Sequence, residues 1–176
     1  MVLLIVDTQE LIMTEEQYNF SAFVNNVEQL IAAARLNGTE VIYVQHDDGV
    51  ELTQGVEGYD IFSRFAPRSE ERRFVKHFNS AFCKTGLLEY LKEKKQTQIM
   101  IAGLQTDYCI DATIKCGFEH GFEMFVPAGC NTTVDNEYMT GEKSYEYYNK
   151  KIWNGRYANR ISLEEAMGNK SWKGEK

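Results

Sequence analysis

Gln98-Ile99-Met100-Ile101-Ala102-Gly103-Leu104-Gln105-Thr106-Asp107-Tyr108-Cys109 is the stretch that decides the fold. Ile99 to Ala102 is a short apolar run, which suits a strand buried on both faces. Gly103 to Thr106 is its exit. Beyond it, Cys109, Ala112, Thr113 and Cys116 fall on one side of a helix that runs toward Gly121. Strand then helix is the unit, and the flanking sequence repeats it.

Upstream, Leu87, Leu88 and Leu91 mark a helix closed by Lys92 to Lys95, and Phe74-Val75 is a brief strand leading into Lys76. Asp47 to Gly58 is an aperiodic, glycine-rich loop that follows a strand at Val41 to Val44. Ser21 can cap a helix with Val24, Val27, Leu30, Ile31 and Ala34 on one face, and Asn37-Gly38 ends it. Val2 to Val6 is the first strand. Downstream come a strand at Phe122 to Val126, a last long helix carrying Tyr145, Tyr148 and Ile152, and an edge strand at Ala158 to Ile161. This alternation predicts an α/β fold: a three-layer αβα sandwich around a mainly parallel sheet of about six strands. One domain is expected over 1–167, with a polar tail over 168–176. Parallel sheets place their sites at the carboxyl ends of the strands.

The chain has 176 residues, a formal net charge of -7 and a pI of about 5.1. That acidity argues against nucleic-acid partners, which need clustered Lys and Arg, and against an anionic membrane surface. No apolar run reaches the length of a membrane span, and Val2 to Val6 is too short for a signal sequence. Cys83, Cys109, Cys116 and Cys130 form no C-x-x-C pair. A cytoplasmic protein with reduced thiols is expected.

Asp7, Lys76 and Cys109 each follow a strand, so a parallel sheet brings them to one rim. A thiol in a helix's first turn near an ammonium should have a lowered pKa. A carboxylate pushes the other way unless it holds a proton or pairs with the lysine, and Asp7 and Cys109 could share one proton. Together the three make an activated nucleophile with an acid/base partner. The bland alternatives are a buried apolar cysteine, a turn aspartate, and a solvated Arg72-Arg73-x-x-Lys76 face.

Three segments resemble a known family, the isochorismatase-like cysteine hydrolases. Val6-Asp7-Thr8-Gln9 is similar to its aspartate motif. Lys76 with Asn79-Ser80-Ala81-Phe82 is similar to its lysine segment. Gly103 to Ile110, continued by Ala112-Thr113, is similar to its G-x-x-T-x-x-C-V segment. The family includes nicotinamidases, N-carbamoylsarcosine amidases, peroxyureidoacrylate amidohydrolases and isochorismatases proper. The resemblance implies a Rossmann-like fold and an Asp7–Lys76–Cys109 triad. It also implies a cis peptide at Leu104-Gln105 and an oxyanion hole from the backbone N–H groups of Gln105 and Cys109. The implied activity is cysteine-dependent hydrolysis of a small amide or ureido C–N bond through a thioester, by a homodimer or higher oligomer. Cleavage of a vinyl ether does not need the thiol, so Cys109 favours the amidase branch. The rivals are an isochorismatase-type vinyl ether hydrolase and a non-catalytic redox-reactive or scaffold protein.

Metal-type nicotinamidases carry a D-x-H motif where this chain reads Gln45-His46-Asp47-Asp48-Gly49, so no metal and no cofactor are expected. His46 is then a hydrogen-bonding group at the pocket rim or a surface residue. Ile12, His46, Phe82 and Tyr108 are the candidate pocket residues. The aromatic stretch Tyr138 to Trp153 is a substrate wall, a subunit interface, or a helix packed on the sheet.

Overall fold

The computed structural model describes residues 1–168, so the expected tail lies outside the described residues apart from Gly168. Every residue of β1 (Val2–Val6) is closed to solvent, as a strand covered on both faces requires. Leu3 and Ile5 point to one layer. There they meet Phe23, Val24, Val27, Leu30 and Ile31 of α1 (Phe20–Leu36). Val2, Leu4 and Val6 point to the other. The period of two along one strand thus divides the core into two clusters.

The remaining strands are β2 (Glu40–His46), β3 (Arg72–Lys76), β4 (Gln98–Leu104), β5 (Glu123–Pro127), β6 (Asn131–Thr132) and β7 (Asn159–Ile161). Six of the seven run in the order β3-β2-β1-β4-β5-β7, and the two-residue β6 pairs with β4. All these pairings are parallel. α2 (Leu87–Glu93) and α3 (Asp111–Glu119) pack Leu87, Leu91 and Ile114 on the face opposite α1. Among the described residues α4 (Gly141–Glu146) and α5 (Leu163–Met167) are the remaining α-helices, with Ala166 of α5 joining the α1 layer. This is the predicted α/β sandwich. No described helix is long and apolar enough to cross a membrane.

The chain lays β2 and β3 on one side of β1, then returns to lay β4, β5 and β7 on the other. Strand order therefore reverses between β1 and β4, and the crevice at their carboxyl ends is the expected place for a ligand.

Two local expectations are corrected. Ser21 does not cap α1: the helix begins at Phe20, and the Asn19 carbonyl already accepts from Phe23 N–H at 3.0 Å. The last helix is not one long α-helix. Its α-helical part ends at Glu146, and Tyr147–Trp153 winds as a wider π-helical segment that buries Asn149 and Trp153. The sequence reading also missed β6 and α5. The second is started by a capping box between Ser162 and Glu165.

Candidate active site

At the end of β1 the chain turns sharply. Asp7 adopts a left-handed conformation (φ 52°), which aspartate tolerates better than most residues, and its N–H still donates to Val44 O at 2.8 Å. The side chain is thereby held beneath the rim rather than at the surface.

Lys76 is the last residue of β3, an edge strand whose other residues stay open or half open to water. Its own side chain is wholly buried, so the solvated-face alternative does not hold for Lys76. Arg72 does stay at the surface, its guanidinium 5.0 Å from the Tyr90 ring centre. β3 and β1 stand two strand spacings apart, about 9.6 Å, and the long lysine stem spans that gap. Its ammonium lies 2.7 Å from Asp7 Oδ2. The same nitrogen donates to Cys109 Sγ at 3.2 Å and Phe78 O at 3.1 Å, and lies 3.1 Å from His46 Nδ1.

Cys109 sits in a π-helical turn, Thr106–Ile110, that precedes α3. The Gln105 carbonyl, which an α-helix would tie to Cys109 N–H, accepts instead from Tyr108 (3.2 Å) and Ile110 (3.1 Å). The peptide joining Leu104 to Gln105 is cis. The turn is braced from below. Thr106 Oγ1 donates to Asn131 Oδ1 at 2.8 Å, and the amides of Asn131 and Asn149 exchange hydrogen bonds at 3.0 and 2.9 Å. Thr133 Oγ1 donates to Asp107 Oδ1 at 2.5 Å.

Burial dominates the electrostatics. It raises the Asp7 carboxyl above its usual range, with Lys76 pulling the other way. The Cys109 thiol is pushed up to about 12 by burial and then by the Asp7 charge, against the opposing pull of Lys76. The lowered thiol pKa expected from the helix dipole and the lysine is therefore corrected, because desolvation and the carboxylate outweigh them. Asp7 Oδ1 is sealed from solvent without a hydrogen bond, and the Cys109 thiol is a neighbouring group that acts on this carboxyl. Moving the thiol proton to Asp7 would leave the total charge of the buried site unchanged.

Above Cys109 lies a cavity of about 190 Å³ lined by Asp7, Ile12, His46, Leu52, Leu104, Gln105, Tyr108 and Cys109. It is smaller than the roughly 300–1,000 Å³ typical of drug-sized ligands. Ile12, His46 and Tyr108 border it. Phe82 does not. It is buried in the core, stacked on Phe122 at 5.8 Å and meeting His120 edge-on at 5.6 Å, because apolar contacts under α3 claim it.

The sequence reading passed over Leu52, Leu104 and Gln9. The Gln9 amide clamps the His46 backbone, accepting from His46 N–H at 2.8 Å and donating to His46 O at 2.9 Å. Its place in the Val6-Asp7-Thr8-Gln9 motif was the available signal. Asp47 and Asp48 hold turns of the following loop, accepting from Gly49 N–H and from Val50 and Leu52 N–H. Among the described residues, no cluster of His, Cys, Asp and Glu is arranged to hold a metal.

A model of the isochorismatase domain matches residues 1–150. The isochorismatase family protein YddQ of Bacillus subtilis (strain 168), itself uncharacterized, is 30% identical over 119 residues, which are 62% of this chain and 63% of that protein. Streptothricin hydrolase of Streptomyces noursei is 25% identical over 137 residues, 76% of this chain and 50% of that one. The chain thus spans less than two thirds of the length of either relative. A crystal structure of an isochorismatase family protein superposes with a TM-score of 0.86 at 28% identity, covering 92% of this chain and 97% of the other.

Proposed function

This chain belongs to the isochorismatase family of hydrolases, and from that premise we propose that it cleaves a small amide or ureido C–N bond through a thioester on Cys109. One observation carries the reading. A thiol and a carboxylate meet the same buried ammonium, at 3.2 and 2.7 Å, beneath a small cavity. Vinyl ether hydrolysis has no use for that thiol. Acyl transfer needs a nucleophile with a proton acceptor beside it.

Asp7 takes the Cys109 proton, and the thiolate attacks the carbonyl carbon of the substrate. The backbone N–H groups of Gln105 and Cys109 receive the oxyanion. Donors of this kind each contribute about 3 kcal/mol to the transition state. Asp7 returns the proton to the leaving nitrogen, the C–N bond breaks, and ammonia or a small amine departs. Water then gives a proton to Asp7 and attacks the thioester carbonyl, and Cys109 leaves as thiolate to recover its proton. Lys76 holds Asp7 in place and balances the negative charge wherever it rests.

The test is a screen of small primary amides and ureido acids for ammonia release, with the acyl-enzyme sought on Cys109 by quenched-flow mass spectrometry. Ammonia release that disappears in Cys109→Ala is expected. No ammonia from any compound, with hydrolysis of a vinyl ether substrate, would assign the chain to isochorismatase-type chemistry instead. A peroxide-sensitive thiol without turnover of either class would favour the redox reading.

A further inference from the structure

The Lys76 ammonium has three protons and four neighbours: Asp7 Oδ2, Phe78 O, Cys109 Sγ and His46 Nδ1. Its ion pair with Asp7 identifies it as a cation. At 3.1 Å from that cation, His46 Nδ1 presents its lone pair, since a proton there would point at a positive charge, and with three protons for four acceptors one ammonium proton is shared between two of them. The imidazole proton is therefore on Nε2. Burial and the Lys76 charge both hold His46 below its usual pKa, so the ring stays neutral near pH 7.

The ring is also fixed in place. Gln9 clamps the His46 backbone from both sides, and Lys76 holds Nδ1. Among the described residues the second ring nitrogen has no hydrogen-bond partner, and the residue borders the cavity above Cys109. His46 and Cys109 touch the same ammonium, so a carbonyl seated on the thiol lies only a few bonds from the imidazole. Beside Asp7 and Cys109 the wall is Ile12, Leu52, Leu104 and Tyr108 with one neutral polar residue, Gln105, and among the described residues the lining contains no arginine and no lysine. The charge of Lys76, behind the wall, is already matched by Asp7.

We infer that His46 is a fixed Nε2–H donor to the substrate, and that the substrate carries an uncharged hydrogen-bond acceptor close to its scissile carbonyl. This rests on the amidase reading above, and narrows its substrate class to small neutral amides bearing an ether, carbonyl or hydroxyl oxygen. A carboxylate would enter the cavity without a counter-charge and lose its hydration, a cost that one neutral donor does not offset.

Three probes separate the cases: methoxyacetamide, its isosteric counterpart butanamide, and the anion malonamate. In the native enzyme kcat/KM for methoxyacetamide should exceed that for butanamide by roughly tenfold, the worth of one well-made hydrogen bond, and malonamate should be the poorest of the three. His46→Asn keeps an acceptor for Lys76 and, being shorter, places its remaining amide N–H away from the Nε2 position, so the ratio of the first two probes should collapse toward one. Nitrogen-15 NMR of the native protein, with the His46 signal assigned by its loss in His46→Asn, should show the Nε2–H form at pH 7. An Nδ1–H form, a charged ring, an undiminished ratio in His46→Asn, or preferred turnover of malonamate would each overturn the inference.

If the native enzyme turns over none of the probes, the amidase reading is decided by the broader ammonia-release screen and the His46 assignment is judged from binding. In Cys109→Ala, methoxyacetamide should shift the His46 Nε2–H resonance and butanamide should not. Equal responses, or none to either, would overturn it.

Discussion

The Lys76 ammonium lies 2.7 Å from Asp7 Oδ2, with none of the lysine side chain and only 4% of the aspartate side chain open to solvent. A buried pair is a poor source of stability, because desolvation consumes much of the attraction. Its value here is chemical. It places a fixed positive charge beside two groups, the Asp7 carboxyl and the Cys109 thiol, that compete for one proton.

Asp7→Asn and Lys76→Met should both be nearly inactive yet differ in thiol reactivity. Asp7→Asn removes the proposed acid and base, and general acid–base catalysis is worth roughly 100- to 10,000-fold; losses at the upper end are expected. It also removes the negative charge that raises the Cys109 thiol, so iodoacetamide at pH 7 should label Cys109 faster than in the native enzyme. Lys76→Met removes the opposing charge and should slow labelling. Mass spectrometry of the time course measures both. Full turnover and unchanged labelling in a folded Lys76→Met protein would eliminate the triad.

Stability should fall with pH on account of Asp7. Its carboxyl is raised in the folded protein, so the folded state holds the proton more tightly than the unfolded chain does. The resulting stability is complete below the ordinary carboxyl value near pH 3.8 and is lost as pH climbs through the raised one. Asp7→Asn cannot titrate. The Tm of the variant minus that of the native protein should therefore increase from pH 4 to pH 8. A flat difference across that range would contradict the assignment.

The losses from replacing Asn131 and Asn149 singly should sum to more than the loss from replacing both. Both amides are buried and bonded to one another, and Asn131 also receives Thr106 at the start of the turn that carries Cys109. Asn149→Leu leaves the Asn131 amide without its partner, at a cost of about 1–3 kcal/mol, which lowers Tm by roughly 2–4 °C per kcal/mol in a chain of this size. A double-mutant cycle with Asn131→Leu should return a coupling of at least about 0.5 kcal/mol. Additive effects would show that the two amides act independently.

Gly103 should be irreplaceable. It sits at φ 131°, and a Cβ built there would lie 2.0 Å from Val6 O. Val6 and Gly103 are register partners in β1 and β4, whose ends carry Asp7 and lead to Cys109. Gly103→Ala forces these central strands apart, and a loss of about 3 kcal/mol or more, or failure to fold, is expected. A soluble Gly103→Ala protein with native Tm would refute this account.

The sequence by itself determined the sandwich. Val2 to Val6, Val41 to Val44 and Ile99 to Ala102 are apolar without alternation, and only a sheet covered on both faces buries such runs. Once the sheet is parallel, Asp7, Lys76 and Cys109 must meet at one rim, because strand direction alone puts them there. Tertiary structure decided the rest. Phe82 stands inside a motif but packs under α3, since the direction of a side chain depends on which neighbours fill the space around it. Lys76 is buried although Arg72 and Arg73 beside it are not, because its stem reaches across the sheet to a carboxylate that no local pattern reveals. The thiol's pKa went up rather than down, since burial is a property of the whole packed molecule and the dipole of one turn is not enough to oppose it. The π-helical turn under Cys109 depends in the same way on Asn131 and Asn149, distant in sequence, whose amides find each other only after the sheet has formed.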